Sequence, residues 1–385
     1  MNREQALLLS VLGDFLHRRK TIPAERDYDW AALLQCGAKH RLNGIVFYQL
    51  GDRIPEPFHS IFHSEYLACI VRSRHRQEIA AQMEDILRRE GVSYFYVKGD
   101  TVGALYTNPI LRSMSDVDLM VPADRLPSLH EPLTEAGFEL TEKGESVWAY
   151  RKETLTFELH NALITSTHRD DDAVADYLSH CWDSVAQGEL DWNVHMIYLL
   201  LHLRKHFRAN GVGFRQFLDL AFVARKIPLD WDYIRAEMDR LGLWRFTLTV
   251  MNLCDLWFGT SSAPEKLALD AAFVEEATEA IFRNGVFGFS NEENKENDIV
   301  NFVRSDGILG LLKWFFTALF PSYWDLCGKE HFRFLHGRPW LLPLAWIWHI
   351  VLFFAEGKAA RKVPRFVRFR DTIASRNDTY EKWGL

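Results

Sequence analysis

The sequence predicts an α+β protein, a small mixed-sheet core flanked by N-terminal and C-terminal helical regions. Two observations carry this. Short runs rich in β-branched and aromatic residues cluster in one stretch, around 92–97, 117–121 and 155–160. On both sides of that stretch, apolar residues recur at helical spacing instead. At 385 residues the chain has room for two or three domains, and its 48% hydrophobic content is ordinary for a packed protein.

Residues 1–75 read as a helical region, with Leu7, Leu8, Val11, Leu12 and Phe15 on one face. Residues 76–165 read as the mixed core. Its first helix is expected over 76–90, with Ile79, Met83, Ile86 and Leu87 on one side. A strand follows over 92–97, and Gly99 ends it and opens a short helical segment over 101–106. A buried strand spans 117–121. A covering helix over 123–136 is made irregular by Pro127 and Pro132, because an internal proline removes a backbone hydrogen bond. Residues 146–160 read as a hairpin. Residues 166–287 read as a second helical region. A polar, acidic loop covers 288–298, and apolar helices with a basic tail fill 299–385.

The net charge of −7 argues against a general nucleic-acid-coating surface, while leaving room for one local basic patch. Cys36, Cys69, Cys181, Cys254 and Cys327 are scattered without Cys-x-x-Cys spacing. They read as reduced thiols of a cytoplasmic protein, not as a zinc site or disulfide frame. The N-terminus carries no signal-peptide pattern.

The chemistry concentrates on Asp116-Val117-Asp118. Alternate residues of a strand share a face, so these two carboxylates project together. Alone, such a pair reads as a solvated turn. Its neighbours change that reading. Lys98-Gly99-Asp100 joins a strand to a helix start, where free backbone N–H groups favour an anion. Glu158, on the alternating run 155–160, brings a third acid.

These residues resemble the uncharacterised nucleotidyltransferase family of bacteria, within the DNA polymerase β-like superfamily. The matching pieces are Lys98-Gly99, then Arg112-Ser113-Met114-Ser115-Asp116-Val117-Asp118-Leu119, then Glu158-Leu159-His160, and more loosely 202–220. Two departures stand out. Asp100 follows the turn glycine where many superfamily members have Ser or Gly, and the third acid is Glu rather than Asp.

The resemblance implies metal-dependent transfer of a nucleoside monophosphate to an acceptor hydroxyl. Asp116, Asp118 and Glu158 would be both catalytic and metal-binding, holding Mg²⁺, with Mn²⁺ as the alternative. Lys98, Gly99, Asp100, Arg112 and Ser115 would bind the nucleoside triphosphate. His160, His202 and His206 would face the acceptor, which is a small molecule, a sugar or a protein. Residues 166–287 would then be a substrate-side domain. A catalytically weak nucleotide-binding module, serving in a toxin–antitoxin or biosynthetic-cluster system, is the alternative.

His195, His202 and His206 share one helix face, which suits either packing or a ligand-facing role. Residues 308–320 and 340–354 are apolar, but shorter than the ~20 residues a spanning helix needs. The basic run Lys358, Arg361, Lys362, Arg365, Arg368 and Arg370 follows. A core helix with a solvated tail is the favoured reading there, and peripheral membrane contact the alternative.

Overall fold

Helices precede the sheet. Helix α1 (Arg3–Leu16) opens with a reciprocal cap: Gln5 N donates to Asn2 Oδ1 at 2.8 Å, and Asn2 N donates to Gln5 Oε1 at 2.7 Å. Helices α2 (Trp30–His40) and α3 (Asn43–Leu50) pack beside it. Helix α4 (Phe58–Arg89) runs for 32 residues. The helix expected over 76–90 is its second half. Residues 58–89 contain neither glycine nor proline, so nothing breaks the helix near residue 75.

The sheet is built from β1 (Phe95–Tyr96), which α5 (Gly99–Gly103) follows, then β2 (Asp116–Met120) and helix α6 (Leu126–Glu135), then β3 (Glu139–Lys143), β4 (Val147–Lys152) and β5 (Leu155–His160). Strand order is β1-β2-β5-β4-β3. Strands β2 and β5 are parallel, and every other neighbouring pair is antiparallel. The expected hairpin is β4–β5, turning through Glu153 at φ +55°. Helix α6 keeps Pro127 in its first turn and tolerates Pro132 inside.

Period two places the site. Val117, Leu119, Phe157 and Leu159 are buried against Ile79, Met83 and Ile86 of α4 and Leu129 and Leu133 of α6. Each such side chain contributes about 1.5–3 kcal/mol on burial. A one-residue slip of β2 would drive its acids into that apolar layer, so the register is strongly fixed. The opposite face of the same strands carries Asp116, Asp118, Glu158 and His160.

Beyond the sheet come α7 (Asp172–Ser179), a small ribbon of β6 (Val185–Ala186) and β7 (Glu189–Leu190), then α8 (Trp192–Ala209), α9 (Phe214–Lys226), α10 (Trp231–Arg240), α11 (Trp244–Phe258) and α12 (Ala271–Asn284). Leu200, Phe217, Phe222 and Met251 form a core with Leu8 and Phe15 of α1. Met120 of β2 joins this core from the sheet.

The computed structural model describes residues 1–24, 27–163, 172–186, 188–209, 211–285, 316, 320–323, 326, 330–335, 337–355 and 378–385. Its contacts divide the chain into two units. One comprises Met1–Thr167, Asp171–Phe289 and Trp383–Leu385, the other His168–Asp170 and Ser290–Lys382. In the second unit, α13 (Leu342–Ala355) buries Ala345 against Leu326, Phe332 and Leu335. Its other side exposes Leu344, Ile347, Trp348 and Val351, so the expected core helix is buried along one side only. Among the described residues, no helix is long and apolar enough to cross a membrane. The acidic loop 288–298, most of 308–320, Cys327 and the basic run from Lys358 to Arg370 lie outside the described residues.

Candidate active site

The parallel pairing of β2 and β5 sets Asp118 opposite Glu158 and Asp116 opposite Thr156. Asp118 is buried, at 4% exposure, and Lys98 and the His160 imidazole converge on one of its oxygens. Lys98 Nζ lies 2.6 Å from Asp118 Oδ1, and His160 Nε2 lies 3.1 Å from the same atom. His160 Nε2 is also 3.1 Å from Glu158 Oε2, so the imidazole bridges the two carboxylates. Asp118 Oδ2 has no hydrogen-bond partner among the described residues.

Lys98 is held by both ends. Its backbone N–H donates to His195 Nε2 at 3.0 Å while its side chain reaches Asp118. The sharp turn after β1 falls on Lys98, at φ 57° and ψ −114°, one residue before the glycine that the sequence offered for it. Such a conformation costs a residue with a Cβ roughly 1–3 kcal/mol.

Burial by itself raises the Asp118 carboxyl, but the Lys98 charge and the His160 hydrogen bond outweigh it and hold the pKa down to about 2. Asp118 is therefore a standing anion. Asp116 is pushed the other way, by burial and then by the Asp118 charge. Burial lowers His160, yet its hydrogen bonds to Asp118 and Glu158 leave it raised. Burial also lowers Lys98, and the Asp118 charge more than restores it.

Helix α8 covers this cluster. The Tyr198 ring centroid lies 6.0 Å from Lys98 Nζ. His206 Nε2 and His202 Nε2 are 2.9 Å apart, so one ring must donate and the other accept. Burial and then the Lys98 charge lower His206 to about 4 and His202 well below its ordinary value. His195, buried between Trp192 and Tyr198, is lowered to about 3 by burial and then by Arg112. All three are neutral near pH 7.

The remaining sequence candidates divide. Ser115 is exposed and its hydroxyl donates to Asp116 Oδ1 at 3.4 Å. Asp100 is neutralised by Arg76 of α4, which donates from Nε at 3.2 Å and Nη2 at 3.0 Å. Gly99 opens α5 beside Met114. Arg112 is buried and gives two parallel bonds to Asp219 of α9, 2.9 Å from Nε and 2.8 Å from Nη2. Tyr106 adds a third bond to Asp219, at 2.7 Å. The sequence gives no role to Arg76, Tyr198 or Arg215 of α9, and reaches Asp219 only through the loose likeness over 202–220, because their partners lie far away in the chain.

Asp118, Glu158 and His160 each offer an atom within 4.8 Å of the others'. Ligands across a Mg²⁺ ion stand at most about 4.2 Å apart, close to the spacing of this triad. The residues fit a divalent cation. Among the described residues, this cluster joins His160 to two of the acids, while Asp116 stands outside it.

An acid face on paired parallel strands, with a lysine turned in from the preceding strand end, offers the charges that a divalent cation and a phosphate group would need. The chain belongs to the family described as uncharacterised nucleotidyltransferases, which matches residues 26–259. That span contains the whole sheet, the acid face and helices α8 and α9. No curated protein and no solved structure matches the chain.

Proposed function

We propose that this nucleotidyltransferase moves a nucleoside monophosphate from a nucleoside triphosphate to an acceptor hydroxyl and releases pyrophosphate. The observation that carries the reading is the β2–β5 register, which sets Asp118 beside Glu158 with Asp116 on the same face.

Asp118, Glu158 and His160, with Asp116 adjacent, would hold Mg²⁺ or Mn²⁺. Such an ion, when bound, polarises the phosphate and lowers the pKa of the acceptor hydroxyl. The imidazole in the set favours Mn²⁺ over Mg²⁺, which is bound mostly by oxygen. Ser115 and the Gly99 backbone would orient phosphate oxygens at the mouth of the acid face. Lys98 would supply charge to the departing pyrophosphate. As the acceptor oxygen bonds to the α-phosphorus, the bond to the pyrophosphate oxygen breaks, and the hydroxyl proton passes to a carboxylate of the cluster. His202 and His206, neutral and paired, would line the acceptor side as hydrogen-bonding groups. The acceptor is a small molecule, a sugar or a protein hydroxyl. The polymerase β-like superfamily, to which the acid pattern points, supplies the same division of labour.

The test is pyrophosphate release and label transfer from each of the four nucleoside triphosphates, with Mg²⁺ or Mn²⁺ and a cell extract as acceptor. The Asp116→Ala/Asp118→Ala double variant runs alongside. Transfer by the wild type alone supports the reading, and the labelled species identifies the acceptor. Metal-dependent nucleotide binding without transfer would turn the reading toward a binding module. Neither binding nor transfer would sink it.

A further inference from the structure

We propose that Arg215 is the phosphate-binding cation of this site, its guanidinium taking an oxygen of the triphosphate or of the departing pyrophosphate. The inference rests on the nucleotidyl-transfer reading and names a residue that the acid pattern does not point to.

The Arg112 charge acts on Arg215, and the Asp219 carboxylate near both is already bonded to Arg112. Asp219 has both oxygens engaged by Arg112, and Tyr106 donates to it as well. Arg215, four residues earlier on α9, forms no ion pair within 4.0 Å among the described residues. Its Nη1 donates to the Ser113 carbonyl oxygen at 2.5 Å, which pins the guanidinium to the loop leading into Asp116. Its Nε is buried without a hydrogen-bond partner, and Nη2 donates to nothing among the described residues.

A partly buried guanidinium in this state is an unsatisfied site. A desolvated cation costs several kcal/mol unless an anion or full hydrogen bonding compensates it. Burial and the neighbouring Arg112 charge both lower its pKa, which an anion alongside would reverse. Carboxylates that act on it include Asp219, engaged by Arg112, and Asp116 on β2. A cation bound at the acid face would draw on the Asp116 charge and leave Arg215 still more in surplus. A phosphate oxygen is the anion that this chemistry brings to the place. The planar fork of arginine suits it, offering two donors in one plane.

The same geometry separates the two arginines that precede and follow the acid strand. Arg112 carries the sequence motif but has given its fork to Asp219. Arg215 spends Nη1 on the Ser113 carbonyl and keeps Nε and Nη2 without a partner among the described residues.

The decisive experiment is titration calorimetry of the full chain with inorganic pyrophosphate in Mg²⁺ or Mn²⁺, with a phosphate-free nucleoside as the control ligand. Arg215→Met is expected to weaken pyrophosphate binding about 10- to 100-fold, and Arg215→Lys is expected to restore part of it. Nucleoside binding should be the same in all three proteins. Pyrophosphate bound equally by the wild type and a folded Arg215→Met variant would overturn the proposal. Should that variant not fold, phenylglyoxal labelling of the wild type decides, read by peptide mass spectrometry. Pyrophosphate protects Arg215 from the reagent if the proposal holds, and labelling unchanged by pyrophosphate overturns it. A wild type that binds neither pyrophosphate nor any nucleoside triphosphate would instead remove the underlying reading, and the role of Arg215 with it.

Discussion

Arg112–Asp219, between the loop before β2 and α9, and Lys98–Asp118, on the sheet, are both buried ion pairs. They have opposite designs. Asp219 is saturated: Arg112 takes both oxygens in parallel bonds and Tyr106 adds a third. Asp118 is lopsided: Lys98 and His160 crowd Oδ1 while Oδ2 has no hydrogen-bond partner among the described residues. A saturated pair can only hold structure together. A lopsided one keeps a coordination position free, and its flexible lysine can leave without breaking a planar fork. The first pair is cement and the second is an open socket.

Substitution at the two aspartates should therefore give crossed results. Asp118→Asn is expected to lower nucleotidyl transfer by about a thousandfold or more, as loss of a central electrostatic partner does. Its melting temperature should move little, because Lys98 retains the Asp116 charge nearby. Pyrophosphate-release assays and thermal scans on one preparation check both halves. Asp219→Asn should do the reverse and destabilise the fold by about 3–5 kcal/mol, since Arg112 is left buried without its partner. Urea denaturation measures it. An Asp219→Asn protein of full stability and no activity would break the comparison.

Smaller effects sharpen the socket. His160→Gln is expected to weaken metal binding about 10- to 100-fold, more for Mn²⁺ than for Mg²⁺. Calorimetry with the two chloride salts reads the difference, and equal losses would remove His160 from the ligand set. A further effect is in pH. His206 and His195 have folded pKa values of about 4 and about 3, below the ordinary 6.5. A depressed folded pKa contributes stability that is fully present above pH 6.5 and is lost as pH falls towards the folded value. Each imidazole should therefore subtract about 1.4 kcal/mol per pH unit across that window. Denaturation midpoints from pH 7 to pH 4 should flatten by one such step in His206→Gln. Asp118, at about 2, adds its own loss only below pH 4.

How much of this was legible in the sequence depends on distance along the chain. The alternation that turns Asp116, Asp118, Glu158 and His160 to one face is local, and period two reads directly from residue order. The β4–β5 hairpin was legible for the same reason. The partners of Arg112 and Asp100 were not. Arg112 meets Asp219 across 107 residues and Asp100 meets Arg76 across 24, and no local pattern encodes such meetings. The continuity of α4 through residue 75 was readable in principle, from the absence of glycine and proline over 58–89. The surplus guanidinium of Arg215 became visible only once Arg112 was seen to be occupied.

The turn at Lys98 has a consequence for anyone engineering this protein. Among the described residues, Arg18, Arg41, Lys98 and Glu153 have positive φ without being glycine. A common stabilising strategy replaces such residues with glycine, whose backbone accepts the conformation without strain. At Arg18, Arg41 and Glu153 that exchange is a fair candidate. At Lys98 the same exchange would relax the backbone and delete the cation that balances Asp118. The strain relieved is about 1–3 kcal/mol, whereas a buried carboxylate stripped of its cation costs about 3–5 kcal/mol, so a screen for heat resistance would pass over Lys98 and keep the strained turn.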